Sequence, residues 1–253
     1  VTDHAPLTIP LKPNHPYPTQ HQYPIPQQAL KGLKPVITHL LQHGLLKPTN
    51  SPYNSPILPI QKPDKSYRLV QDLCLINQIV LPIHPIVPNP YTLLSSIPPS
   101  TTHYSIIDLK GAFFTIPLHP SSQPLFAFTW TDPDTHQSQQ LTWTVLPQGF
   151  RNSPHYFGQA LSHDLLSFHL SASHLIQYFD DLLCSPSYQS SQQDTTLLLQ
   201  HLYLKGYRVS PSKAQISSPS VTYLGIILHQ HTHALPADCA QLTTQPRIPT
   251  TKQ

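Results

Sequence analysis

Apolar residues recur along this chain with two different periods, and the change of period predicts where helices and strands lie. Residues 1–25 are polar and proline-rich and predict an extended segment. Between Gln27 and Leu46, leucines and isoleucines return at helical spacing, which predicts one helix. Pro56–Ile60 and Tyr67–Gln71 are short apolar runs that predict two strands, and Pro63–Lys65 has the composition of the turn between them.

The middle of the chain predicts a strand, a short helix and two further strands. Tyr104–Asp108 is an apolar run that ends in a carboxylate and predicts a buried strand, with a short helix beginning near Lys110. The next predicted elements are strands at Leu125–Trp130 and Leu141–Val145, joined by a polar turn, and a helix from Ser153 to about His169. Ser153 is the expected cap of that helix, because a serine oxygen accepts hydrogen bonds from the first turn.

The last predicted elements surround a pair of acidic residues. Leu175–Cys184 has the pattern of two apolar strands on either side of a tight acidic turn. Gln192–Lys205 predicts a helix that Gly206 ends, and Val221–Leu228 predicts one further strand. Strands therefore alternate with helices and also form hairpins. This order predicts an α+β or mixed α/β fold with a largely antiparallel sheet.

Composition changes this picture in two respects. The 31 prolines cluster in residues 1–30, at 82–99 and near the C-terminus, so they predict extended connections around a folded domain. The three cysteines have no paired spacing, which argues against a disulfide framework or a zinc ribbon and favours a reducing compartment. No apolar run approaches the ~18 residues that span a bilayer. We therefore expect a protein that is neither secreted nor embedded in a membrane.

Three aspartates are the candidate chemistry. Asp108 ends one apolar strand, and Asp180 and Asp181 lie in the turn between two others. If these strands are neighbours in one sheet, three like charges meet at its edge, and a divalent cation is the natural reason. Carboxylate oxygens suit magnesium, and two ions about 3.5–4 Å apart stabilise both oxygens of a phosphoryl displacement. The alternative is that Asp180 and Asp181 form only a hydrophilic turn.

The residues around these aspartates resemble a known family. Tyr178-Phe179-Asp180-Asp181 has the form of the tyrosine-x-aspartate-aspartate motif of reverse transcriptases. Ile106–Phe114 resembles the upstream aspartate motif of the same family, and Leu146–Pro154 resembles its third palm motif. Ile86–Leu94 and Tyr223–Gly225 also read as family sequence, and all five segments occur in the family's order. The resemblance covers roughly residues 20 to 235 and is closest to gammaretroviral enzymes, and we expect the chain to come from an endogenous retrovirus.

The resemblance implies a right-hand polymerase fold of fingers and palm, with a mostly antiparallel palm sheet and the thumb essentially absent. It implies these subdomains: an extended segment at 1–25, fingers at 26–100 and 126–150, palm at 101–125 and 151–235, and the start of a thumb or a disordered tail at 236–253. Because the chain opens with Val1 and contains no methionine, we expect it to be a piece of a longer Pol polyprotein with a thumb, a connection and an RNase H domain.

The resemblance also implies a reaction, in which a primer 3′ hydroxyl attacks the α-phosphate of a deoxynucleoside triphosphate. Two magnesium or manganese ions would be bound by Asp108, Asp180 and Asp181, with help from the Leu109 carbonyl. Lys213 matches a lysine that protonates the leaving pyrophosphate; the alternative is a surface lysine. The partners implied are a primed RNA or DNA template and deoxynucleoside triphosphates, which the net charge of +3 permits. The implied location is cytoplasmic or within a virion.

Further residues match the family's contacts with substrate. The implied nucleotide-binding residues are Lys62, Arg68, Gly111, Ala112, Phe113 and Gln148, and the implied primer and template contacts are Tyr178, Phe179, Pro154, Leu224, Gly225 and Ile226. Cations on a mobile hairpin are suited to triphosphate, whereas the alternative for Lys62 and Arg68 is a pair of solvated turn charges. For Phe113 the alternative is a core aromatic, and for Gly225 a plain bulge.

Two departures from the family pattern favour a second hypothesis. Gly111 stands where the family usually has a second acid, and Cys74 stands where it has an arginine that braces the fingers. The loss of a cation from a nucleic-acid face weakens salt-dependent affinity. The second hypothesis is an inactive endogenous retroviral remnant that keeps the fold and binds nucleic acid weakly. A metal-dependent nuclease would need an acidic cluster outside these motifs, and the sequence has none.

Overall fold

A computed structural model gives the fold and describes residues 4–83, 89–178, 181–184, 186–229 and 232–234. The chain forms two compact units. Unit 1 consists of Val1–Ile86 and Gly111–His163, and unit 2 of Val87–Lys110 and Asp164–Gln253. None of the helices among the described residues is long and apolar enough to cross a membrane.

The described helices are α1 (Gln27–Gln42), α2 (Cys74–Ile79), α3 (Pro90–Ser95), α4 (Ser153–Leu165) and α5 (Tyr188–Leu204), with short 3-10 helices at Ala112–Thr115 and Gln123–Phe126. The described strands are β1 (Leu46–Pro48), β2 (Ile57–Gln61), β3 (Tyr67–Gln71), β4 (Tyr104–Asp108), β5 (Phe128–Thr131), β6 (Ser138–Trp143), β7 (Leu175–Tyr178), β8 (Asp181–Cys184), β9 (Gln215–Ser218), β10 (Ser220–Tyr223), β11 (Ile226–His229) and β12 (Thr232–Ala234).

Helix α1 buries one stripe of apolar side chains in unit 1 and ends earlier than the sequence predicts. Ala29, Leu33, Ile37 and Leu40 are buried, which follows from their helical spacing. The chain leaves the helix at Gly44, whose φ is +67°, and the Leu45 N–H donates to the Leu40 carbonyl at 2.9 Å. The left-handed residue Gly44 therefore ends the helical path before Leu46, the predicted last residue of the helix. Leu46 lies in strand β1 instead.

Unit 1 contains two antiparallel sheets, one in the order β1-β6-β5 and one formed by β2 and β3. Its core includes a buried polar bridge. The Trp143 indole N–H donates to Gln71 Oε1 at 3.0 Å, and Gln71 Nε2 donates to the Phe126 carbonyl at 3.1 Å. Phe114 stacks on Trp143 with 5.2 Å between the ring centroids. Every polar atom of the Gln71 amide is therefore used to fix the core.

The predicted strands of this region are confirmed with shifted ends. The first begins at Phe128 rather than Leu125, because Gln123–Phe126 forms a 3-10 turn that contains Pro124. The second begins at Ser138 rather than Leu141, since Ser138 pairs with Thr131 next to the connecting loop of residues 132–137. The prediction failed there because polar residues on a hairpin near its turn carry no apolar signal.

The N-terminal segment, described from His4 onward, contains no helix before Gln27 and makes backbone hydrogen bonds within unit 1. The Leu7 N–H donates to the Pro117 carbonyl at 2.9 Å, and the Lys12 N–H donates to the Ile79 carbonyl at 2.8 Å. Further along, the Gln20 N–H donates to the Asn54 carbonyl at 2.8 Å. Proline-rich sequence is suited to this role, because it extends without needing a continuous ladder of hydrogen bonds.

Unit 2 is built on a four-stranded antiparallel sheet in the order β7-β8-β4-β9. On one face, Tyr104, Ile106 and Ile176 belong to a buried cluster that also contains Leu94, Val221, Tyr223 and Leu228. On the other face, the Ser105 hydroxyl lies 2.8 Å from the hydroxyl of Thr195 on α5. The period-2 alternation of β4 therefore supplies an apolar face and a hydroxyl-bearing face.

Several predictions for the α4 region and unit 2 are corrected. Val221–Leu228 is not one strand but the hairpin β10–β11, because Leu224 and Gly225 both have positive φ, +51° and +75°. Helix α5 begins at Tyr188 rather than Gln192. Helix α4 ends at Leu165, and the Ser153 hydroxyl donates to the Pro147 carbonyl at 3.1 Å instead of capping the helix. Gly206, whose φ is +83°, stops helix α5 just beyond its last residue, as the sequence predicts.

Candidate active site

Two of the three candidate aspartates lie directly opposite each other in the sheet of unit 2. Asp108, at the end of β4, pairs with Asp181, the first residue of β8. The Asp108 carbonyl accepts a hydrogen bond from the Ser210 N–H at 2.9 Å, on the side away from β8. Asp108 and Asp181 therefore form a non-hydrogen-bonded pair, in which the Cα atoms are about 4.5 Å apart. Asp180 and Phe179 lie outside the described residues.

The backbone beside Asp108 directs a further oxygen to the same side. The Lys110 N–H donates to the Arg208 carbonyl at 2.7 Å, and this bond and the one from Ser210 flank a bridge between Leu109 and Val209. In such a bridge the central residue points its own N–H and C=O away from the facing strand. The Leu109 carbonyl is therefore directed to the side on which β8 lies.

Lys213 contacts the Asp108 carboxylate. Its Nζ lies 2.9 Å from Asp108 Oδ2; the lysine side chain is 70% exposed and the aspartate side chain 19%. Sequence reasoning related Lys213 to the leaving pyrophosphate and did not predict this ion pair. The two residues are 105 positions apart, so only the folded sheet brings them together.

The oxygens gathered at this edge fit a hard divalent cation. The Asp108 carboxylate and the Leu109 carbonyl are the donor types that magnesium and manganese prefer. The ion pair with Lys213 places a positive charge beside the Asp108 carboxylate. Among the described side chains, which do not include those of Asp180 and Asp181, no three histidine, cysteine or acidic groups form a metal cluster.

The predicted primer contacts share the apolar cluster beneath this edge. Tyr178 pairs with Asp181 in the β7–β8 hairpin and packs against the buried cluster. Leu224 and Ile226 pack against the same cluster from the β10–β11 hairpin. Gly225 lies at the tip of that hairpin, where its positive φ closes a two-residue turn, so the bulge alternative is wrong.

A buried carboxylate that sequence reasoning missed anchors the segment leading into β7. Asp194 is fully buried on α5 and accepts hydrogen bonds from the Ser171 hydroxyl at 2.9 Å and from the Ser173 N–H at 3.1 Å. The Ser173 hydroxyl also donates to it. Burial acts to raise the pKa of Asp194, but the hydrogen bonds from Ser173 and Ser171 outweigh it and hold the pKa below its ordinary value.

A second buried carboxylate, Asp164, belongs to the same unit. The Tyr207 hydroxyl donates to Asp164 Oδ2 at 2.7 Å, and Lys205 Nζ lies 3.5 Å from Oδ1. Burial, together with the adjacent carboxylate, raises the pKa of Tyr207 above its usual range. Both missed aspartates are the only acidic residue of their helix, but that sequence signal does not name their partners.

In unit 1, two of the predicted nucleotide-binding residues contact each other. Arg68, on β3, donates from its guanidinium to Gln148 Oε1. Lys62 follows β2 in the same hairpin, where its N–H donates to the Ser66 carbonyl at 2.8 Å. The side chains of Lys62 and Arg68 are both exposed. The hairpin therefore presents two cations to solvent, one of which is held by an amide oxygen.

The segment after Lys110 begins with a left-handed backbone position at Gly111. Gly111 has φ of +66° and ψ of +33°, a left-handed conformation that glycine adopts without cost. Ala112 is buried, and Phe113 meets Phe157 edge to face with 6.0 Å between centroids. Phe113 is partly exposed, so it combines packing with an accessible face.

The loop that carries Gln148 and precedes Pro154 is tied down by two amides that sequence reasoning did not single out. Asn77 Nδ2 donates to the Gly149 carbonyl at 3.0 Å, and Asn77 Oδ1 accepts from the Arg151 N–H at 3.0 Å. Asn152, which is 1% exposed, donates to the Leu81 carbonyl at 2.9 Å. Pro154 is the second residue of α4, immediately beyond this braced loop.

Cys74, the departure in the fingers motif, is an exposed free thiol at the start of α2. Its backbone N–H donates to Asp72 Oδ1 at 3.0 Å. The adjacent Asp72 carboxylate raises the pKa of the thiol above its ordinary value. The position therefore supplies a neutral group to solvent.

The sequence and fold identify the class of protein. A family model described as "Reverse transcriptase (RNA-dependent DNA polymerase)" matches residues 60–228. The chain belongs to this family. The Gag-Pol polyprotein of koala retrovirus is 50% identical over 227 residues, which are 88% of this chain and 14% of that protein. The Pol polyprotein of Feline endogenous virus ECE1 is 49% identical over 230 residues, 89% of this chain and 22% of that protein.

These relatives make the chain a retroviral reverse transcriptase sequence of gammaretroviral type, spanning only 14–22% of their length. Solved structures of a foamy viral protease-reverse transcriptase have a similar fold. For the structure in complex with double-stranded DNA, the TM-score is 0.83 and the sequence identity 29%. The match covers 98% of this chain and 42% of that one. For the structure in complex with an RNA/DNA hybrid, the TM-score is 0.81 and the identity 29%, and the match covers 98% of this chain and 32% of that one. The mixed α/β fold with antiparallel sheets predicted from the sequence is confirmed.

Proposed function

We propose that this chain carries the active site of an RNA-directed DNA polymerase, which adds deoxynucleotides to the 3′ end of a primer. The observation that supports this most directly is the strand register that sets Asp108 opposite Asp181, the residue that follows Asp180. A sheet edge at which Asp108 and Asp181 are paired across two strands, beside the Leu109 carbonyl, is suited to phosphoryl transfer. In that reaction catalysis consists mainly of positioning and charge neutralisation.

Asp108, Asp180 and Asp181, with the Leu109 carbonyl, would hold two magnesium or manganese ions. When bound, these ions supply charge stabilisation to the attacking and leaving oxygens of the displacement. The residues themselves position the reacting groups. In this proposal the apolar cluster beneath Tyr178, Leu224 and Ile226 would support the primer terminus, which Phe179 and Gly225 would also contact.

The nucleotide contacts belong to unit 1. Arg68 and Lys62 would bind the triphosphate, with the guanidinium as a fork and the ammonium as a point charge. Gly111 and Ala112 would approach the phosphates through their backbone, and Phe113 would limit space at the sugar. Gln148 would contact the nucleotide near its 3′ position, and Pro154 would lie near the template.

Lys213, which belongs to unit 2, would donate a proton to the leaving pyrophosphate.

We assign unit 1 mainly to fingers and unit 2 mainly to palm, with the subdomain limits as predicted from the sequence. The proposed partners are a primed RNA or DNA template and deoxynucleoside triphosphates. The complexes of the foamy viral relative with double-stranded DNA and with an RNA/DNA hybrid support this. The thumb, connection and RNase H domain would come from the rest of a Pol polyprotein, in the cytoplasm or a virion.

The test is deoxynucleotide incorporation on a primed RNA template with magnesium or manganese. The chain is measured as it stands and joined to a thumb and connection from a related enzyme, each beside an Asp180→Asn variant. We expect incorporation that the variant abolishes. A folded graft that incorporates no nucleotide would instead leave the second hypothesis, an inactive remnant with a preserved fold.

A further inference from the structure

We propose that Lys213 is the resident counter-cation of Asp108 and competes with the divalent metal for its carboxylate, so that this lysine sets the metal affinity of the site. The inference rests on the metal site of the proposed function. It gives Lys213 a role before any nucleotide is bound, in addition to its proposed role as a proton donor to pyrophosphate. Its basis is the ion pair of 2.9 Å between Lys213 Nζ and Asp108 Oδ2.

The ion pair is held in place by backbone pairing on both sides of Lys213. Before the lysine, Ser210 donates its N–H to the Asp108 carbonyl at 2.9 Å. After it, Gln215 begins β9 and pairs with Ile106 of β4. The Lys213 N–H itself donates to the Ser210 carbonyl at 3.2 Å and closes the turn between the two segments. The lysine therefore projects from a short turn whose two ends are fixed to the strand that carries Asp108.

The exposed fractions of the two side chains indicate which partner moves. Asp108 is 19% exposed and ends a central strand, whereas Lys213 is 70% exposed. A divalent cation that approaches Asp108 meets an ammonium already at one of its oxygens. The lysine can leave into solvent at little cost, but the aspartate cannot follow it without breaking strand pairing. The metal must therefore displace Lys213 from Oδ2 or bind under its repulsion.

The direction of the effect follows from charge. In the metal-free protein Lys213 offsets the negative charge of the Asp108 carboxylate. In the metal-bound protein the same positive charge lies close to the cation and opposes it. Removal of the lysine charge therefore raises metal affinity. We expect dissociation constants about 3- to 10-fold lower, a range typical of displacing an exposed ion pair together with a modest Coulomb repulsion.

The experiment is a Mn²⁺ titration of the 253-residue chain without nucleotide or primer, read by the electron paramagnetic resonance of free Mn²⁺. Lys213→Gln removes the charge, and Lys213→Arg keeps it. Lys205→Gln is the matched control, because Lys205 pairs with Asp164 at 3.5 Å in the same unit. Asp108→Asn identifies the binding that belongs to this site. Circular dichroism establishes that each variant is folded.

We expect tighter Mn²⁺ binding in Lys213→Gln alone, with Lys213→Arg and Lys205→Gln like the parent chain. The difference should shrink at about 1 M salt, where the Debye length is near 3 Å. Because nucleotide is absent, a role confined to pyrophosphate protonation predicts no change. Equal affinities of Lys213→Gln and the parent, with Asp108-dependent binding in both, would overturn this inference alone. Absence of Asp108-dependent binding in every variant would overturn the metal site itself and the inference with it.

Discussion

Two regions of the molecule carry charges of opposite sign, and they differ in how firmly the surrounding structure holds them. One is the sheet edge of unit 2, and the other is the β2–β3 hairpin of unit 1. Asp108 ends a strand with neighbours on both sides, and the apolar cluster packs beneath it. Lys62 and Arg68 lie on a two-stranded sheet, and both side chains are exposed. Asp108 is thus placed by strand register inside a four-stranded sheet, while the two cations lie on a two-stranded hairpin.

This difference matches what each set of charges is proposed to do. A metal site needs oxygens whose arrangement is complete before the ion arrives, because reorganisation at that moment costs affinity. Triphosphate contacts tolerate, and often use, a mobile element that closes over substrate. The Arg68 guanidinium, which donates to Gln148 in the absence of nucleotide, has to exchange that partner for phosphate.

The comparison is tested most strongly by truncating one apolar residue beside each charge. Ile107 is fully buried next to Asp108, so Ile107→Ala should lower the free energy of unfolding by about 2–5 kcal/mol. Ile60 is 49% exposed beside the hairpin cations, so Ile60→Ala should change it by less than about 0.5 kcal/mol. Urea unfolding measures both. Similar losses at the two sites would show that the hairpin is as tightly supported as the sheet edge.

The next effect concerns the anchor of the segment that enters β7. Asp194→Ala removes a buried acceptor of Ser171 and Ser173 and should lower the free energy of unfolding by about 1–3 kcal/mol. Because the folded pKa of Asp194 lies below its ordinary value of 3.8, its contribution is present above that pH and disappears as pH falls through the folded pKa.

Unfolding free energies of the parent and Asp194→Ala should therefore converge as pH falls below 3.8 and through the folded pKa of Asp194. Asp194→Asn, which keeps one oxygen acceptor, is the matched variant and should lose less at neutral pH. A pH-independent difference between parent and alanine variant would mean that packing, and not the charge, accounts for the loss.

A smaller effect is expected at the hairpin cations, in a graft that incorporates nucleotide. Arg68→Ala should raise KM for the deoxynucleotide about 10-fold, equivalent to about 1.4 kcal/mol, with kcat little changed. Thermal unfolding should not move, because the side chain is exposed. A fall in kcat at unchanged KM would place Arg68 in transition-state stabilisation rather than in binding, and would weaken the contrast with the sheet edge.

The smallest effect is at Gly111, where the chain passes from unit 2 to unit 1. An added Cβ would lie 3.5 Å from Phe114 Cδ2, so space is sufficient and the left-handed φ of +66° supplies the cost. Gly111→Ala should destabilise by about 1 kcal/mol, and Gly111→Asp by less, since aspartate adopts this conformation more readily. Thermal unfolding of the two variants decides whether the acid usual in the family fits this backbone.

The sequence-based prediction succeeded where the pattern is local. Strands β3 and β4 were predicted with their observed limits, because each is an apolar run between clear punctuation. It failed at Leu224–Gly225, where a turn interrupts an apolar run. The composition of the run does not indicate that turn, because a leucine rarely has a positive φ. The predicted helix was also extended too far, to Leu46. That leucine continues the helical spacing but belongs to the following strand, β1.

By itself, the sequence determined the family, the mixed α/β fold class and the aspartates to which the family resemblance points, because motif residues and their order are local properties. The tertiary structure alone decided which groups meet. Lys213 on Asp108, Asp194 beneath Ser171 and Ser173, and Arg68 on Gln148 join residues that lie 21 to 105 positions apart. Such contacts depend on strand register and helix packing, which arise from the whole chain and have no signature in any one segment.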